Sequence, residues 1–340
     1  MRKDRFVLWL PLVLLPACSE EQDEEFRDWN LEDLGAERGF VFRTPVFEVP
    51  TGEEVQNCYF IEVPDLNAGS DIFVNRVVTA INPGSHHMNV FRVMTVVGLD
   101  GKHGDVVRGG ECFRSSNWAD WPLVANSQNS AEENPYTDWT LPQGVAQRFS
   151  PGEKLMVQVH YVNATTQKTP FKGRVGINFY RSPIASPIEL GTLFATQQSI
   201  RICQSNPNPT FSGTCNFAAG EVHVAAASAH FHSRGRAFKI YTWDRQSLEP
   251  KEENKFYEST SWDDPPMATG LDVRLQGGGG IMWTCTYRWS PPPLGCDVLD
   301  SLDTAPDKDC CYTFGPKVDT NEHCNVFLYY WPKTQDVSCN

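Results

Sequence analysis

The chain has 340 residues, 40% of them hydrophobic, enough for two ordinary domains with separate cores. Its formal net charge of -13 and pI near 5.1 exclude nucleic acid as a partner. Phosphate backbones would be repelled, and no basic patch offsets the acidity.

Arg2, Lys3 and Arg5 form a basic start, and residues 6–15 form an apolar stretch too short to span a bilayer as a mature helix. The stretch ends in Leu15-Pro16-Ala17-Cys18, a lipobox-like sequence. Residues 1–18 therefore read as a lipoprotein signal, with Cys18 lipidated and becoming the mature N-terminus. Ser19 after the cysteine points to the outer membrane. The expectation is an exported protein of a Gram-negative bacterium, on the periplasmic face of the outer membrane or at the cell surface. It would touch the membrane through its lipid anchor alone. Residues 19–40 are polar and acidic and read as a flexible tether.

From Phe40 onward the pattern changes to short β-branched and aromatic runs broken by Pro, Gly, Asn and Asp. Residues 58–63, 72–78, 155–162 and 174–180 read as strands, mostly with apolar alternation. Residues 181–187 carry two prolines and two serines and read as a linker. Further strands are expected at 222–227, 237–243, 281–287 and 326–331. The four glycines 277–280 read as a hairpin loop; no Lys-Ser/Thr follows them, so they do not suggest a phosphate loop. Residues 290–318 are rich in Pro, Asp and Cys and read as a surface loop pinned by disulfides. No segment has the pattern of a long amphipathic helix. The expected class is all-β, built as sandwiches.

Setting Cys18 aside, ten of the eleven cysteines remain, an even number. In an exported chain they read as disulfides rather than metal thiolates, and no Cys-x-x-Cys pair is present. Cys310 and Cys311 are adjacent and should bond to different partners.

The histidines carry the chemistry. Of eight, seven fall at His86-His87, His160, His223, His230-Phe231-His232 and His323. His230 and His232 are two apart, so on a strand they share a face. His86 and His87 are adjacent, so their side chains diverge and must bend to share one ion. Two trios result: His86, His87 and His160 in the first half, and His230, His232 and His323 in the second. Three neutral imidazoles leave an open position on a first-row transition metal. Neither trio needs His223, which is assigned to packing or to hydrogen bonding behind the ligands. His103 sits in a polar loop and is expected to face solvent.

The segments His86-His87-Met88, Gln158-Val159-His160-Tyr161-Val162-Asn163, His230-Phe231-His232-Ser233-Arg234-Gly235-Arg236, Trp283-Thr284-Cys285-Thr286-Tyr287 and Glu322-His323-Cys324-Asn325-Val326-Phe327 follow one another in this order. The set resembles the copper type II, ascorbate-dependent monooxygenases, the family of dopamine β-hydroxylase and peptidylglycine α-hydroxylating monooxygenase. The resemblance covers roughly residues 41–340. The stretch from Tyr330 to Cys339 looks closer to the dopamine β-hydroxylase branch.

The resemblance implies two jelly-roll-like β-sandwich domains, 41–182 and 183–340, with one copper each and a solvent-filled cleft between them. It places an electron-transfer copper on His86, His87 and His160, and a catalytic copper on His230, His232 and His323. It implies hydroxylation of a C–H bond of a small-molecule or peptide substrate, with O2 and an external one-electron reductant, ascorbate in the family. It also implies bridges Cys58–Cys112 and Cys285–Cys324. Cys339 would join Cys203 or Cys215, and the other would pair among Cys296, Cys310 and Cys311. The family's second bridge in the first domain has no counterpart near Val93.

The departure that matters most is at His323, because the familiar enzymes carry a methionine just before the matching cysteine. Thioether sulfur favours Cu(I), whereas imidazole serves both oxidation states, so an all-nitrogen site should have a lower reduction potential. Met282 and Met267 are alternative thioether ligands. The carboxylate-binding Arg and Tyr of the peptidylglycine branch are replaced by Ser228 and Phe327, which argues against an amidating role. Glu322 and Asn325 flank the second trio and are read as supporting groups. Tyr329 and Tyr330 alternate on a strand, with core packing as their default. The rival reading is an exported copper-binding or copper-handling protein without turnover.

Overall fold

The computed structural model describes residues 31–94, 101–109, 112, 121–127, 135–163, 170–217, 220–263, 265–293, 295–299, 309–315, 317–334 and 337–340. The signal, Cys18 and most of the acidic segment lie outside them. Among the described residues the protein is all-β, with 25 strands, two single-turn 3-10 helices, and no helix long and apolar enough to cross a membrane.

The first half contributes two large sheets. One has the order β1 (Gly39–Arg43), β12 (Val175–Arg181), β4 (Ile72–Ile81), β9 (Val145–Phe149) and β13 (Ile188–Glu189), with β8 (Tyr136–Thr140) also paired to β4. The other has the order β6 (Val106–Arg108), β3 (Glu54–Glu62), β10 (Lys154–Val162), β5 (Ser85–Arg92) and β7 (Leu123–Ser127). A small ribbon joins β2 (Phe47–Val49) to β11 (Phe171–Gly173). The second half has a four-stranded sheet, β14 (Gly191–Thr196), β24 (Asn325–Trp331), β17 (Val222–His230) and β20 (Ala268–Leu275). It also has a five-stranded sheet, β19 (Lys255–Ser259), β18 (Gly235–Trp243), β21 (Gly280–Tyr287), β16 (Thr210–Phe217) and β25 (Val337–Cys339). A third small sheet comprises β15 (Arg201–Cys203), β22 (Cys311–Phe314) and β23 (Asn321–Glu322).

Side-chain alternation divides two apolar clusters between these sheets. On β24, Val326, Leu328 and Tyr330 enter the second-half cluster, while Phe327 and Tyr329 enter the first-half cluster. On β17, Val224, Ala227 and Ala229 go to the second, and Ala225 and Ala226 to the first. The register shifts between Val224 and Ala226, leaving Ala225 as a bulged residue. The sheet containing β17 and β24 is therefore a wall shared by both clusters. Across it, Phe194 stacks on Phe327 at 5.1 Å and meets Phe91 edge-on at 5.9 Å. Trp139 lies 4.7 Å from Tyr329, whose hydroxyl donates to Asn126 Oδ1 at 2.7 Å.

Several expectations change. The tether does not extend to residue 40: residues 39–43 pair with β12, Asn178 Nδ2 donates to the Glu32 carbonyl, and the Tyr180 hydroxyl donates to Glu32 Oε1. An unpaired strand edge takes partners from the nearest chain. The boundary read at 182/183 moves a few residues on, because Ile188 and Glu189 pair with Val145 and Ala146, and Leu190 joins the first cluster. The glycine run is not a hairpin: β20 and β21 belong to different sheets, so residues 276–279 form an arch between them. Gly278 has φ +82°, and a Cβ on Gly280 would lie 2.1 Å from the Cys215 carbonyl oxygen. Met282 alternates away from Ile281 and Trp283, which fill the second cluster.

All ten described cysteines are bridged, as Cys58–Cys112, Cys203–Cys311, Cys215–Cys339, Cys285–Cys324 and Cys296–Cys310. The pairings implied by the resemblance are present, Cys339 joins Cys215, and Cys310 and Cys311 take different partners. Five bridges place the folded chain in an oxidising, extracytoplasmic environment.

Replacing Tyr329 by Phe keeps the ring and removes its hydrogen bond to Asn126. Chemical denaturation should show a loss of about 1–2 kcal/mol. An unchanged midpoint would mean that this contact adds nothing to the packing of the two halves.

Candidate metal centre

Cross-strand pairing builds the first trio. β10 sets His160 opposite His87 and Gln158 opposite Asn89, so these four side chains share one face. β3 adds Gln56 and Glu54 to that polar face through its pairing with His160 and Val162. The adjacent histidines are resolved by a bulge. His87 pairs with His160 and Ser85 with Tyr161, so His86 is an extra residue without a cross-strand partner. A bulge re-aims a side chain, and here it brings His86 back beside His87. The turn before it needs Gly84, whose φ is +88° and whose Cβ would meet the Phe171 ring at 2.3 Å.

The second trio sits at an arch between the two sheets of the second half. His230 is the last residue of β17 and pairs with Asn325. Phe231 points into the second cluster, and His232 begins the turn into β18. Gly235 closes that turn by donating its N–H to the His232 carbonyl at 2.9 Å, and a Cβ there would overlap the Phe231 ring. His323 is held on the other side of the arch. Its carbonyl accepts from the Tyr287 hydroxyl, and the adjacent Cys324 is bridged to Cys285.

The two trios form one cluster. Ring centroids are 5.2 Å apart for His86–His87, 5.2 Å for His86–His160 and 5.1 Å for His87–His160. In the second trio they are 5.2 Å for His230–His232, 5.0 Å for His230–His323 and 4.4 Å for His232–His323. Between the trios, His86 lies 4.7 Å from His230 and 5.2 Å from His232, and His87 lies 4.6 Å from His230. The solvent-filled separation implied by the family resemblance is absent here, because the shared wall packs the two sandwiches together. All six rings are at most 6% exposed.

Burial sets the electrostatics. It pushes His86, His87, His230 and His323 well below the ordinary histidine value, and neighbouring imidazoles push them the same way. Burial brings His232 down to about 4, against the opposing effect of the Asn321 carbonyl. These rings are neutral at pH 7 and carry lone pairs. Buried ring nitrogens without a hydrogen-bond partner remain at His86 Nε2, His87 Nδ1, His232 Nε2 and His323 Nδ1. A buried polar atom left without a partner is costly, and a metal ion is the partner that suits converging neutral imidazoles.

The groups behind the rings fix their orientation. His232 Nδ1 lies 3.0 Å from the Asn321 carbonyl oxygen, which presents Nε2 inward. His160 Nε2 lies 3.0 Å from Glu54 Oε2, which leaves Nδ1 for a metal. His87 Nε2 lies 3.3 Å from Gln158 Oε1. Such outer contacts set the tautomer and ring angle of a ligating histidine. Burial raises the Glu54 carboxyl, but the His160 contact and the Val318 N–H outweigh it and hold the carboxyl below its usual value. The fully buried Glu322 accepts from the backbone N–H of His232 at 2.9 Å and of Arg234 at 2.8 Å, bracing the arch. Burial raises its carboxyl to about 8 despite those donors.

The sequence named all six converging histidines and placed Glu322 and Asn325 beside them. Glu54 was not anticipated. Its only signal is its two-residue spacing from Gln56, which means nothing until β3 pairs with β10. Trp262 and Phe314 were also not anticipated, and lie 5.9 Å from His86 and 4.9 Å from His323. His223 supports neither trio: it stacks on Trp331 and contacts Glu221 and Asp272 at the surface. His103 is exposed and accepts the Glu62 N–H. Ser228 and Phe327 are buried in the wall strands.

No protein-family model matches the chain, and no curated protein matches it. Among solved structures, the major capsid protein P2 of bacteriophage PM2 is similar at 10% identity and a TM-score of 0.26, over 73% of this chain and 98% of that one. A putative secreted protein from Eubacterium rectale is similar at 9% identity and a TM-score of 0.19, over 86% of this chain and 69% of that one. The N-terminal CBM22 tandem domain of Paenibacillus barcinonensis Xyn10C is similar at 8% identity and a TM-score of 0.20, over 84% of this chain and 82% of that one. Likenesses this low carry no argument about function.

The neutral histidines tie stability to pH. A buried ring with a lowered folded value binds fewer protons than the unfolded chain between the two values. For His232 that window runs from 6.5 to about 4. Its contribution is complete above 6.5 and lost as pH falls toward about 4, up to about 3 kcal/mol. The other lowered rings act in the same direction. The melting temperature of chelated, metal-free protein should fall steadily between about pH 7 and about pH 4.5. A flat profile would show that the rings are not buried as neutral bases.

Proposed function

We propose that this protein is a copper-dependent monooxygenase that hydroxylates a C–H bond of a small-molecule or peptide substrate, using O2 and an external one-electron reductant such as ascorbate. The supporting observation is the convergence of six buried, inward-facing imidazoles from both halves, four of them with a ring nitrogen lacking a partner. His86, His87 and His160 would hold one copper, and His230, His232 and His323 the other. Copper supplies one-electron chemistry between its two common oxidation states, so two ions can hold the two electrons that a monooxygenation draws from outside. One oxygen atom enters the C–H bond and the other leaves as water, with two protons taken up.

The chain's own groups would prepare the site. Neutral imidazoles offer lone pairs without first losing a proton. Glu54 and the Asn321 carbonyl hold the His160 and His232 rings, and Glu322 holds the arch. Trp262 and Phe314 add aromatic surface beside the ligands, which limits water there. Lipidation at Cys18, with attachment to the outer membrane, belongs to the same proposal and is tested by the mass of the mature N-terminus.

A second reading, a copper-holding exported protein without turnover, is favoured by the near-complete burial of all six rings, which leaves little ring surface open to a substrate. Oxygen uptake separates the two. The hydroxylase reading expects reductant-dependent O2 consumption by the copper-loaded protein and its loss in His230→Ala. Two bound copper ions with no such uptake would favour the holding protein.

Chelation should abolish O2 consumption, and copper should restore it where zinc does not; reactivation by zinc alone would exclude copper redox chemistry. His323→Met should still bind copper and raise the reduction potential of the second site. An unchanged potential in voltammetry would remove His323 from the ligand set.

A further inference from the structure

His86 belongs by geometry to two different trios. One ring nitrogen from each of His86, His87 and His160 can be chosen so that all lie within 4.8 Å of one another. The same holds for His86, His230 and His232. The second grouping crosses from the first half to the second. His86 is fully packed between these neighbours, and its Nε2 has no partner. Its bulged position leaves its side chain out of the cross-strand pairing that fixes His87 against His160.

We propose that the first metal ion to enter this protein is held by His86, His230 and His232, and so joins the two halves. This site does not depend on the hydroxylase reading; under that reading His86 turns to His87 and His160 only when a second ion enters. Three imidazoles suit a tetrahedral divalent ion with one further position, and the bulge aims the His86 ring at His230 and His232. The surroundings suit the role. His232 is already oriented by the Asn321 carbonyl, and its arch is braced by Glu322. Glu54 ties His160 to the second half through the Val318 N–H at 3.5 Å, so the neighbourhood is already crossed by contacts between the halves. A metal ion here adds a strong cross-link to a junction that aromatic packing, the β9–β13 pairing and hydrogen bonds such as Tyr329–Asn126 already hold. A ligand that binds only the joined state stabilises that state in proportion to its affinity and concentration.

Redox-inert zinc tests this without turnover. Metal-free protein and six single variants are titrated to one equivalent of zinc. Affinity is read by calorimetry, and the rise in melting temperature is compared with each variant's own metal-free value. His86→Ala, His230→Ala and His232→Ala should each weaken the first zinc by about 100-fold or more and abolish the rise. His87→Ala, His160→Ala and His323→Ala should change it by less than about tenfold, the scale of groups behind a ligand. If an alanine variant fails to fold, the phenylalanine variant keeps the ring volume and removes the nitrogen. Equal losses in His86, His87 and His160 variants, or in His230, His232 and His323 variants, would overturn the proposal in favour of a site within one half. Failure to bind zinc at all would also overturn it. Absence of reductant-dependent O2 uptake by the copper-loaded wild-type protein would count against the hydroxylase reading and leave this pattern untouched.

Discussion

The structure depends on one shared sheet. β17 and β24 lie side by side with apolar groups on both faces, so each strand feeds two cores. Most two-layer β domains expose one face of each sheet. Here the outer face of the second sandwich is buried against the first. The alanines at 225 and 226 make this possible, since small side chains let the neighbouring packing approach closely. With the sheet fixed in that role, the end of β17 meets the start of β5, and His230 comes to rest beside His86.

That meeting sets the chemistry of the junction. The imidazoles of His86, His87, His230, His232 and His323, gathered away from water, are stable together only while uncharged, because burial and the neighbouring rings both disfavour their protonation. The carboxylates nearby do not neutralise the cluster. Glu54 faces the outer nitrogen of His160, and Glu322 is turned to backbone N–H groups of the arch. Both hold the histidine segments in position and leave the inner nitrogens facing one another. Rigid supports surround the second trio, including the Cys285–Cys324 bridge and the Tyr287 contact to the His323 carbonyl. The first trio instead includes a bulged residue. The site thus combines a braced side with a side whose central ring lies outside the cross-strand pairing.

The packed junction also bears on the choice between turnover and holding. A hydroxylase needs room for substrate beside a bound metal, and in this arrangement the rings are almost entirely buried. Turnover on this scaffold would require the two halves to separate at the wall. The contacts there include aromatic faces and side-chain hydrogen bonds from Tyr329 to Asn126 and from Thr192 to the Leu123 carbonyl, with strand pairing confined to the short β9–β13 pair near the chain's crossing point. Separation of such surfaces is a rigid-body change that leaves each sheet intact.

The sequence by itself determined the strand-rich class, the ten bridged cysteines and the identities of the six converging histidines. Alternation, turn residues and side-chain chemistry are local properties, and they can be read along the chain. Tertiary structure decided the rest. Whether 277–280 closes a hairpin or an arch depends on which sheets take β20 and β21, not on the glycines themselves. His86 can join His87 because β10 skips it in pairing, and Glu54 matters because β3 lies beside β10. The merging of two trios into one cluster follows from the burial of a sheet face against another domain. Nothing in a strand's own alternation says whether its second face meets water or another core.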